Sequence, residues 1–233
     1  MAIISFFGNA LMAYGPALAV FFLHVTQHAQ LVILLMTSAF FWLLSILVTS
    51  IFWYIIKPLQ YTPAGTIFLG VTFQEVFRLL FFKLMSKAET GLNTISSTPN
   101  SPLNQPNNAF VTGLGFGIMS GLISYVSQLA ESTGPAIVRC NSCPGVDVFF
   151  MGAITTSLFI FLHAAWNMIA FHGWYRGQWL PFGFAALAHY AASYGTLLTP
   201  SSINCGCVMS IAICVVILIV CSGLAFRTIT DKN

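Results

Sequence analysis

The chain has 233 residues, of which 58% are hydrophobic and only 6% are charged, against roughly 25% charged residues in a soluble domain. So few charges cannot cover a water-facing surface, so a soluble globular protein is excluded. The net charge of +3 comes from eight Lys and Arg residues that are scattered singly, and without a basic patch no nucleic-acid partner is expected.

Seven apolar segments follow one another along the chain, each near the roughly 20 residues that a helix needs to cross a bilayer. We therefore predict an all-α polytopic membrane protein, in which one integral membrane domain (residues 1–233) forms a bundle of seven transmembrane helices. The first segment lacks the basic region of a secretory signal and is interpreted as an uncleaved span. The predicted spans are about 2–24, 31–56, 64–86, 109–130, 148–170, 178–199 and 207–227.

The longest polar connection, about residues 90–108, is rich in Ser, Thr, Asn and Pro and is predicted to be a mobile cytosolic linker. The distribution of basic residues predicts the orientation of the chain in the membrane, because cytoplasmic loops carry an excess of Lys and Arg. Five basic residues fall on one side of the predicted bundle and two on the other, which predicts a lumenal N-terminus and a cytosolic C-terminus. The five are Lys83, Lys87, Arg176, Arg227 and Lys232, and the two are Lys57 and Arg139.

The third span contains a carboxylate and a guanidinium, Glu75 and Arg78, near mid-bilayer depth. Residues three apart lie on one helix face and can pair, which lowers the cost of inserting both charges. One interpretation is a structural ion pair that packs inward. The other is an acid or base at a site inside the membrane.

Glycines recur at every fourth position of the fourth span, at Gly113, Gly117 and Gly121. One face of this helix therefore carries no side chains, and the backbone of a neighbouring helix can approach it closely. That neighbour could belong to the same chain, as ordinary packing, or to another subunit that docks on this face.

Two histidines lie deep within consecutive spans: His163, followed one turn later by Asn167, and His189. Ionisable groups at this depth face a protein interior or a water-filled cavity. Each histidine could be a satisfied packing residue, or the two could form an intramembrane polar cluster with Asn167 and Glu75. The other histidines, His24, His28 and His172, lie near predicted helix ends and are expected to meet solvent.

Four cysteines occur in two pairs, Cys140-x-x-Cys143 and Cys205-x-Cys207, in connections that the predicted topology places on the lumenal side. An oxidising lumen favours disulfides there. Free thiols and a zinc site are the alternatives, although zinc pairs usually have two intervening residues in both halves.

Common catalytic motifs are missing from the sequence: there is no HExxH, no GxSxG and no phosphate-binding glycine loop. Both aspartates, Asp147 and Asp231, lie outside the predicted spans. Zinc-protease, serine-hydrolase, nucleotidase and aspartyl-protease functions all lose support, and neither a metal nor a cofactor is expected.

An ordered set of segments carries a family resemblance. SFFGNALMAYGPALAVF (5–21), AFFWLLS (39–45), QEVFRLLFFKLMSKAETGL (74–92) and GLGFGIMSG (113–121) are followed by the two intramembrane histidines. In this order they resemble the anterior-pharynx-defective family, the multi-spanning scaffold subunit of γ-secretase, over nearly the whole chain.

The resemblance implies a non-catalytic subunit that joins nicastrin, packs against presenilin and completes the protease with the presenilin-enhancer subunit. It implies a multi-pass protein of the endoplasmic reticulum, Golgi, endosome and plasma membranes, surrounded by lipid. On the same analogy Gly113, Gly117 and Gly121 serve assembly, while His163 and His189 line a cavity that receives the C-terminal region of presenilin.

A second hypothesis is an intramembrane hydrolase similar to the CAAX-processing glutamate proteases. Glu75 would activate water, and His163 and His189 would stabilise an oxyanion or carry protons. Gln74 stands where that pattern has its first acid, and Arg78 is one residue too close. A channel or transporter would need discontinuous helices or a polar pore lining, and only the first span has a strong central breaker.

Overall fold

The structure, a computed structural model, describes residues 2–95, 104–134 and 138–230. Within these ranges the chain forms eight α-helices and one short hairpin, which confirms the prediction of an all-α membrane protein. The helices are α1 (Ala2–Val20), α2 (Ala29–Ile55), α3 (Lys57–Gln60), α4 (Pro63–Thr94), α5 (Asn104–Glu131), α6 (Val148–Tyr175), α7 (Leu180–Gly195) and α8 (Gly206–Thr230).

Five helical segments of the described chain are long and apolar enough to cross a membrane: α2, α5, α6, α8, and α1 extended by a π-helical turn to Val25. The helix α7 has only 16 residues, fewer than the roughly 20 that a straight crossing needs. The helix α4 carries Glu75 and Arg78 in its interior. The chain is thus a multi-pass membrane protein, while the count of seven crossings and the orientation of the termini stay predictions.

Prolines, a capping aspartate and a glycine turn set several helix ends. The carboxylate of Asp147 accepts hydrogen bonds from the backbone N–H groups of Phe149 and Phe150 at the start of α6, an N-cap arrangement. Pro181 lies in the first turn of α7, where its missing N–H costs nothing. Gly177 has a φ of 68° in the turn between α6 and α7, a conformation that side chains with a Cβ rarely adopt.

Helix occupies both ends of the predicted 90–108 linker. The helix α4 continues to Thr94 and α5 begins at Asn104, with Pro106 tolerated in its first turn. The central part of the predicted linker, residues 96–103, lies outside the described residues.

The helix α6 forms the centre of the bundle. It packs against α1, α5, α7 and α8, whereas α2 bridges α4 and α5. Residues 162–171 of α6 are all buried, whichever way they face. A helix that is enclosed on every side is where polar side chains have to find protein partners.

The hairpin covers one end of the bundle, which we call the hairpin end. Strand β1 (Arg139–Cys140) pairs antiparallel with β2 (Cys143–Asp147), and a disulfide joins Cys140 to Cys207 in the first turn of α8. Phe6 and Ala10 of α1 pack in one small cluster with Tyr125 and Ala153 near this end, so the N-terminal half of α1 lies at the hairpin end.

Candidate functional site

Four polar side chains from three helices meet inside the bundle. Glu75 and Arg78 come from α4, His163 from α6 and His189 from α7, and none is more than 5% exposed. We call these four residues the buried polar cluster. It forms where α4, α6 and α7 face one another, so the sequence positions it joins are up to 114 residues apart.

Glu75 is held from two sides. Its Oε1 lies 3.2 Å from Arg78 Nη2 in an ion pair along α4. The same oxygen lies 2.7 Å from His189 Nδ1, and because a carboxylate only accepts hydrogen bonds, His189 donates through Nδ1. One carboxylate oxygen therefore ties α7 to α4.

Arg78 reaches the second histidine. Its Nη2 lies 3.2 Å from His163 Nδ1. A guanidinium has donors only, so Nδ1 of His163 must accept, and the ring is then neutral with its proton on Nε2. His163 thus serves as an acceptor for Arg78 in this arrangement, and the two histidines have opposite hydrogen-bonding roles.

Aromatic rings enclose the cluster. Trp166 stacks on His189 with ring centroids 4.3 Å apart, and the guanidinium carbon of Arg78 lies 5.7 Å from the centre of the Phe116 ring and 6.0 Å from that of Trp166. Cations within about 6 Å of a ring face are attracted to it. Neither Trp166 nor Phe116 was expected from the sequence as a site residue, although Phe116 lies within the segment 113–121 that carries the family resemblance.

Several polar atoms of this region have no hydrogen-bond partner among the described residues. They are Glu75 Oε2, Arg78 Nε, Arg78 Nη1 and Asn167 Oδ1. Buried polar groups are normally paired, so the cluster is only partly satisfied and depends strongly on the contacts it does make.

Asn167 forms its hydrogen bond with α5. Its Nδ2 donates to Thr112 Oγ1 of α5 at 3.1 Å, and both residues are fully buried. The structure thus brings His163 and His189 together, with ring centroids 5.0 Å apart, but it joins Asn167 to α5 instead of to that pair.

The three glycines of α5 face α6 of the same chain. A Cβ added to any of them would overlap atoms of α6. The atoms in the way are Ala164 Cα at 2.6 Å for Gly113, the backbone of Ile160 for Gly117, and Thr156 Cγ2 at 2.8 Å for Gly121. Close backbone approach, as the repeat predicts, is therefore made within this chain, and Gly115 makes the corresponding contact with α2 on the other side.

The four cysteines of the Cys-x-x-Cys and Cys-x-Cys sequence pairs lie together at the hairpin end. Cys140 and Cys207 form the disulfide, Cys143 and Cys205 are unbonded, and Cys214 and Cys221 are buried in α8. Within residues 2–95, 104–134 and 138–230, no three His, Cys, Asp or Glu side chains come together as a metal site.

One cavity is lined in part by Ala164, next to His163, and another by Gln74, next to Glu75. The larger, about 660 Å³, lies between the start of α5, α6 and the end of α8, and His24 at its edge donates to Asn107 Oδ1 at 2.7 Å. The smaller, about 370 Å³, is lined largely by hydroxyl side chains and by Gln74. Neither His163 nor His189 lines either of these two cavities, and their place in a cavity that receives presenilin stays a prediction.

The chain resembles known proteins over most of its length. The family model described as Aph-1 protein matches residues 4–232. The γ-secretase subunit APH-1B of Mus musculus is 37% identical over 84% of this chain and 79% of its own length, and the γ-secretase subunit Aph-1 of Drosophila melanogaster is 32% identical over 87% and 84%. A plant relative, the γ-secretase subunit APH1-like of Arabidopsis thaliana, is 27% identical over 88% of this chain and 85% of its own.

The match also spans the structural features described above, because its limits enclose all of the buried polar cluster, the glycine face of α5 and the disulfide. An identity above 30% with animal relatives that are covered over more than two thirds of their length places the chain with them. This protein belongs to the Aph-1 family.

Proposed function

We propose that this chain is a non-catalytic scaffold subunit of γ-secretase that assembles with nicastrin, holds presenilin in position and completes the complex together with the presenilin-enhancer subunit. The names of its relatives support the proposal, since the mouse, fly and plant proteins are each named as γ-secretase subunits. The intramembrane protease activity would then reside in another chain of the complex.

The observation that carries the proposal is the state of Glu75. It is the only one of the five acidic residues that lies within a predicted span, and its Oε1 is bound by Arg78 and His189 of the same chain. Proteases of the aspartyl type use two carboxylates that share a proton. This chain offers a single intramembrane carboxylate that is already engaged, so a partner has to supply the catalytic pair.

We further propose seven crossings, with α4 and α7 completing the set, in one integral membrane domain. The N-terminal half of α1 and the hairpin lie at the same end of the bundle, so a lumenal N-terminus also makes the hairpin lumenal. A disulfide at this end supports that orientation, because disulfides persist in oxidising compartments. The compartments we propose are the endoplasmic reticulum, Golgi, endosome and plasma membranes.

Subunit assembly would depend on the glycine face indirectly. Gly113, Gly117 and Gly121 contact α6, so a substitution there would move α5 or α6 and alter the outer surface that a partner helix meets. In the same way His163 and His189 would act through the packing of α4, α6 and α7, which sets the shape presented to presenilin.

The competing function is a glutamate-type intramembrane protease. The structure offers it one specific observation, since Glu75, His163 and His189 do meet in one cluster. Water activation needs a free base that substrate and water can reach. Glu75 is instead ion-paired, and neither it nor the histidines line either cavity. The scaffold function is therefore the one the geometry supports best.

The experiment is activity per assembled complex. The chain is co-expressed with presenilin, nicastrin and the presenilin-enhancer subunit, the complex is purified through this chain, and peptide-bond cleavage is normalised to the amount of presenilin recovered. We expect Glu75→Gln to lower the yield of complex while the activity of each assembled complex stays unchanged.

The hydrolase hypothesis predicts the reverse, namely normal assembly and a rate that falls about 100-fold to 10,000-fold when an acid–base group is lost. Cleavage by this chain alone, without any aspartyl subunit, would overturn the scaffold function. Lys83→Met, which changes an exposed cation of the same helix, is the matched control for both yield and activity.

A further inference from the structure

Two unbonded cysteines lie beside the disulfide at the hairpin end. Cys143 is the first residue of β2, and Cys205 is the residue before α8. Ser142 connects the two segments, because its carbonyl accepts from Cys205 N at 2.9 Å and its Oγ accepts from Cys207 N at 3.0 Å. The segment 142–143 is thereby aligned with the segment that contains both Cys205 and Cys207.

Cys205 lies next to Cys143, because its backbone N–H donates to the carbonyl of the preceding residue, Ser142. The neighbouring Cys205 raises the pKa of the Cys143 thiol. Cys205 is exposed and Cys143 is half-buried, whereas the other two unbonded cysteines, Cys214 and Cys221, are enclosed in α8. Among the described residues, the accessible thiols are therefore those two, and they lie on neighbouring segments that are hydrogen-bonded to each other.

Cys205 also has an unusual backbone. Its φ of 59° is the only positive φ among the described residues other than glycine. Among non-glycine residues, Asn, Asp and His are the ones enriched in this region. The next residue, Gly206, is fixed by close approach to the Leu198 carbonyl. A cysteine kept in a conformation that other residues adopt more easily points to a use for its thiol.

We propose that Cys143 and Cys205 form a second, solvent-accessible disulfide next to the buried Cys140–Cys207 bond. In the reaction each thiol loses its proton, one S–S bond forms, and two electrons pass to a disulfide oxidant. That oxidant, glutathione disulfide or an oxidised protein dithiol, is reduced to two thiols. The two bonds would lie nested, 140 with 207 and 143 with 205, and would fasten the hairpin to the start of α8.

The two bonds should differ in reactivity. Cys140 and Cys207 are each about 2% exposed or less, so a reductant reaches them poorly, whereas exposed disulfides are the labile ones. The second bond closes a loop that the first has already closed, so it removes little further chain entropy. Its effect is to order the hairpin end locally. Under reducing conditions this second bond would be broken before the Cys140–Cys207 bond.

The test counts thiols on the full chain. Membranes are solubilised in SDS without reductant, free thiols are blocked with N-ethylmaleimide, and after reduction the remaining cysteines are labelled with a heavy maleimide and assigned by peptide mass spectrometry. The chain has six cysteines. We expect only Cys214 and Cys221 to take the first label, and Cys143→Ser to add Cys205 to them.

Controls separate the outcomes. Cys214→Ser should remove one first-stage label and leave the Cys143–Cys205 peptide unchanged. Titration with dithiothreitol should release Cys143 and Cys205 before Cys140 and Cys207, and simultaneous release would contradict their accessibility.

First-stage labelling of Cys143 and Cys205 with Cys140 and Cys207 still protected would overturn the second disulfide and leave the proposed topology intact. Labelling of all four would overturn the second disulfide and the lumenal hairpin together. Neither result bears on the scaffold function, which is tested by assembly.

Discussion

The helix α6 is held by two neighbours in two different ways. Against α5 it makes a contact without side chains, where glycines let the two backbones touch. Against α4 and α7 it makes a contact through charges and imidazoles, with Trp166 and Phe116 as walls. Lipid tails are as apolar as leucine, so helices in a bilayer associate through close packing and through polar contacts rather than through hydrophobic burial.

The difference between the two interfaces lies in how they fail. An interface built on glycines is disrupted when a substitution adds volume at the contact, and its stability changes little when a distant group is altered. A polar interface is destabilised when one partner of an ion pair is removed, because the remaining charge is then buried without a partner. The substitutions below separate these two kinds of failure, and their stability is read from unfolding in SDS titrations of the purified chain.

The largest effect is expected from Arg78→Met. It leaves the Glu75 carboxylate inside the bundle with His189 as its remaining partner, and removing one member of a buried ion pair costs about 3 to 5 kcal/mol. The double variant Arg78→Met/Glu75→Gln should recover most of that loss because no charge is then left unpaired. A double variant as unstable as the single one would contradict the ion-pair interpretation, and Lys83→Met, exposed on the same helix, should change stability by less than about 0.5 kcal/mol.

Next comes Gly117→Ala, which places a methyl group against the Ile160 backbone. A backbone cannot rotate away as a side chain can, so we expect a loss of about 1 to 3 kcal/mol from overpacking. Gly121 meets only side-chain atoms of Thr156 and Ile160, and Gly121→Ala should cost less. Gly8→Ala is the control, because nothing lies within 4 Å of a Cβ added there. Equal effects at positions 8 and 117 would refute the close contact.

A third expectation concerns His189→Ala. The variant takes away one hydrogen-bond donor to Glu75 and the ring that stacks on Trp166, but Glu75 keeps Arg78. The cost should be that of a lost buried hydrogen bond, about 1 to 3 kcal/mol, and below that of Arg78→Met. His189→Gln retains a donor and should recover part of the loss. If His189→Ala proved worse than Arg78→Met, the imidazole and not the guanidinium would be the main partner of Glu75.

The two interfaces were not equally visible in the sequence. Hydrophobic length located the long helices, and the four-residue spacing of Gly113, Gly117 and Gly121 marked a surface for close approach. The three-residue spacing of Glu75 and Arg78 likewise predicted that the two side chains could pair on one helix face. These are local properties, and helical periodicity suffices to derive them.

What the sequence did not contain is which helix meets which. Three features depend on contacts between segments that are distant in the sequence. They are the packing of the α5 glycines against α6, the contact of Arg78 with His163 and the hydrogen bond of Asn167 with α5. The hairpin was missed because its strands have only two and five residues, too few for a period of two to show. Trp166 could not be predicted as part of the site, since an indole one turn from a histidine has no distinctive spacing.

The smallest effect is expected where the two interfaces adjoin. Thr112 precedes Gly113 on α5, and Asn167 follows His163 by one turn on α6, and their 3.1 Å hydrogen bond joins α5 to α6. Hydrogen bonds between membrane helices contribute about 0.6 kcal/mol on average and at most about 1.7.

Thr112→Val, Asn167→Leu and the double variant form a cycle that isolates this coupling from the volume changes. Thr112→Val alone should be the costlier single change, because it leaves an amide N–H of Asn167 unpaired, while Asn167→Leu also removes an oxygen that already has no partner. A coupling near 0.6 kcal/mol would mean that this bond contributes as an average hydrogen bond between membrane helices does, whereas a coupling near zero would contradict a stabilising bond between Thr112 and Asn167.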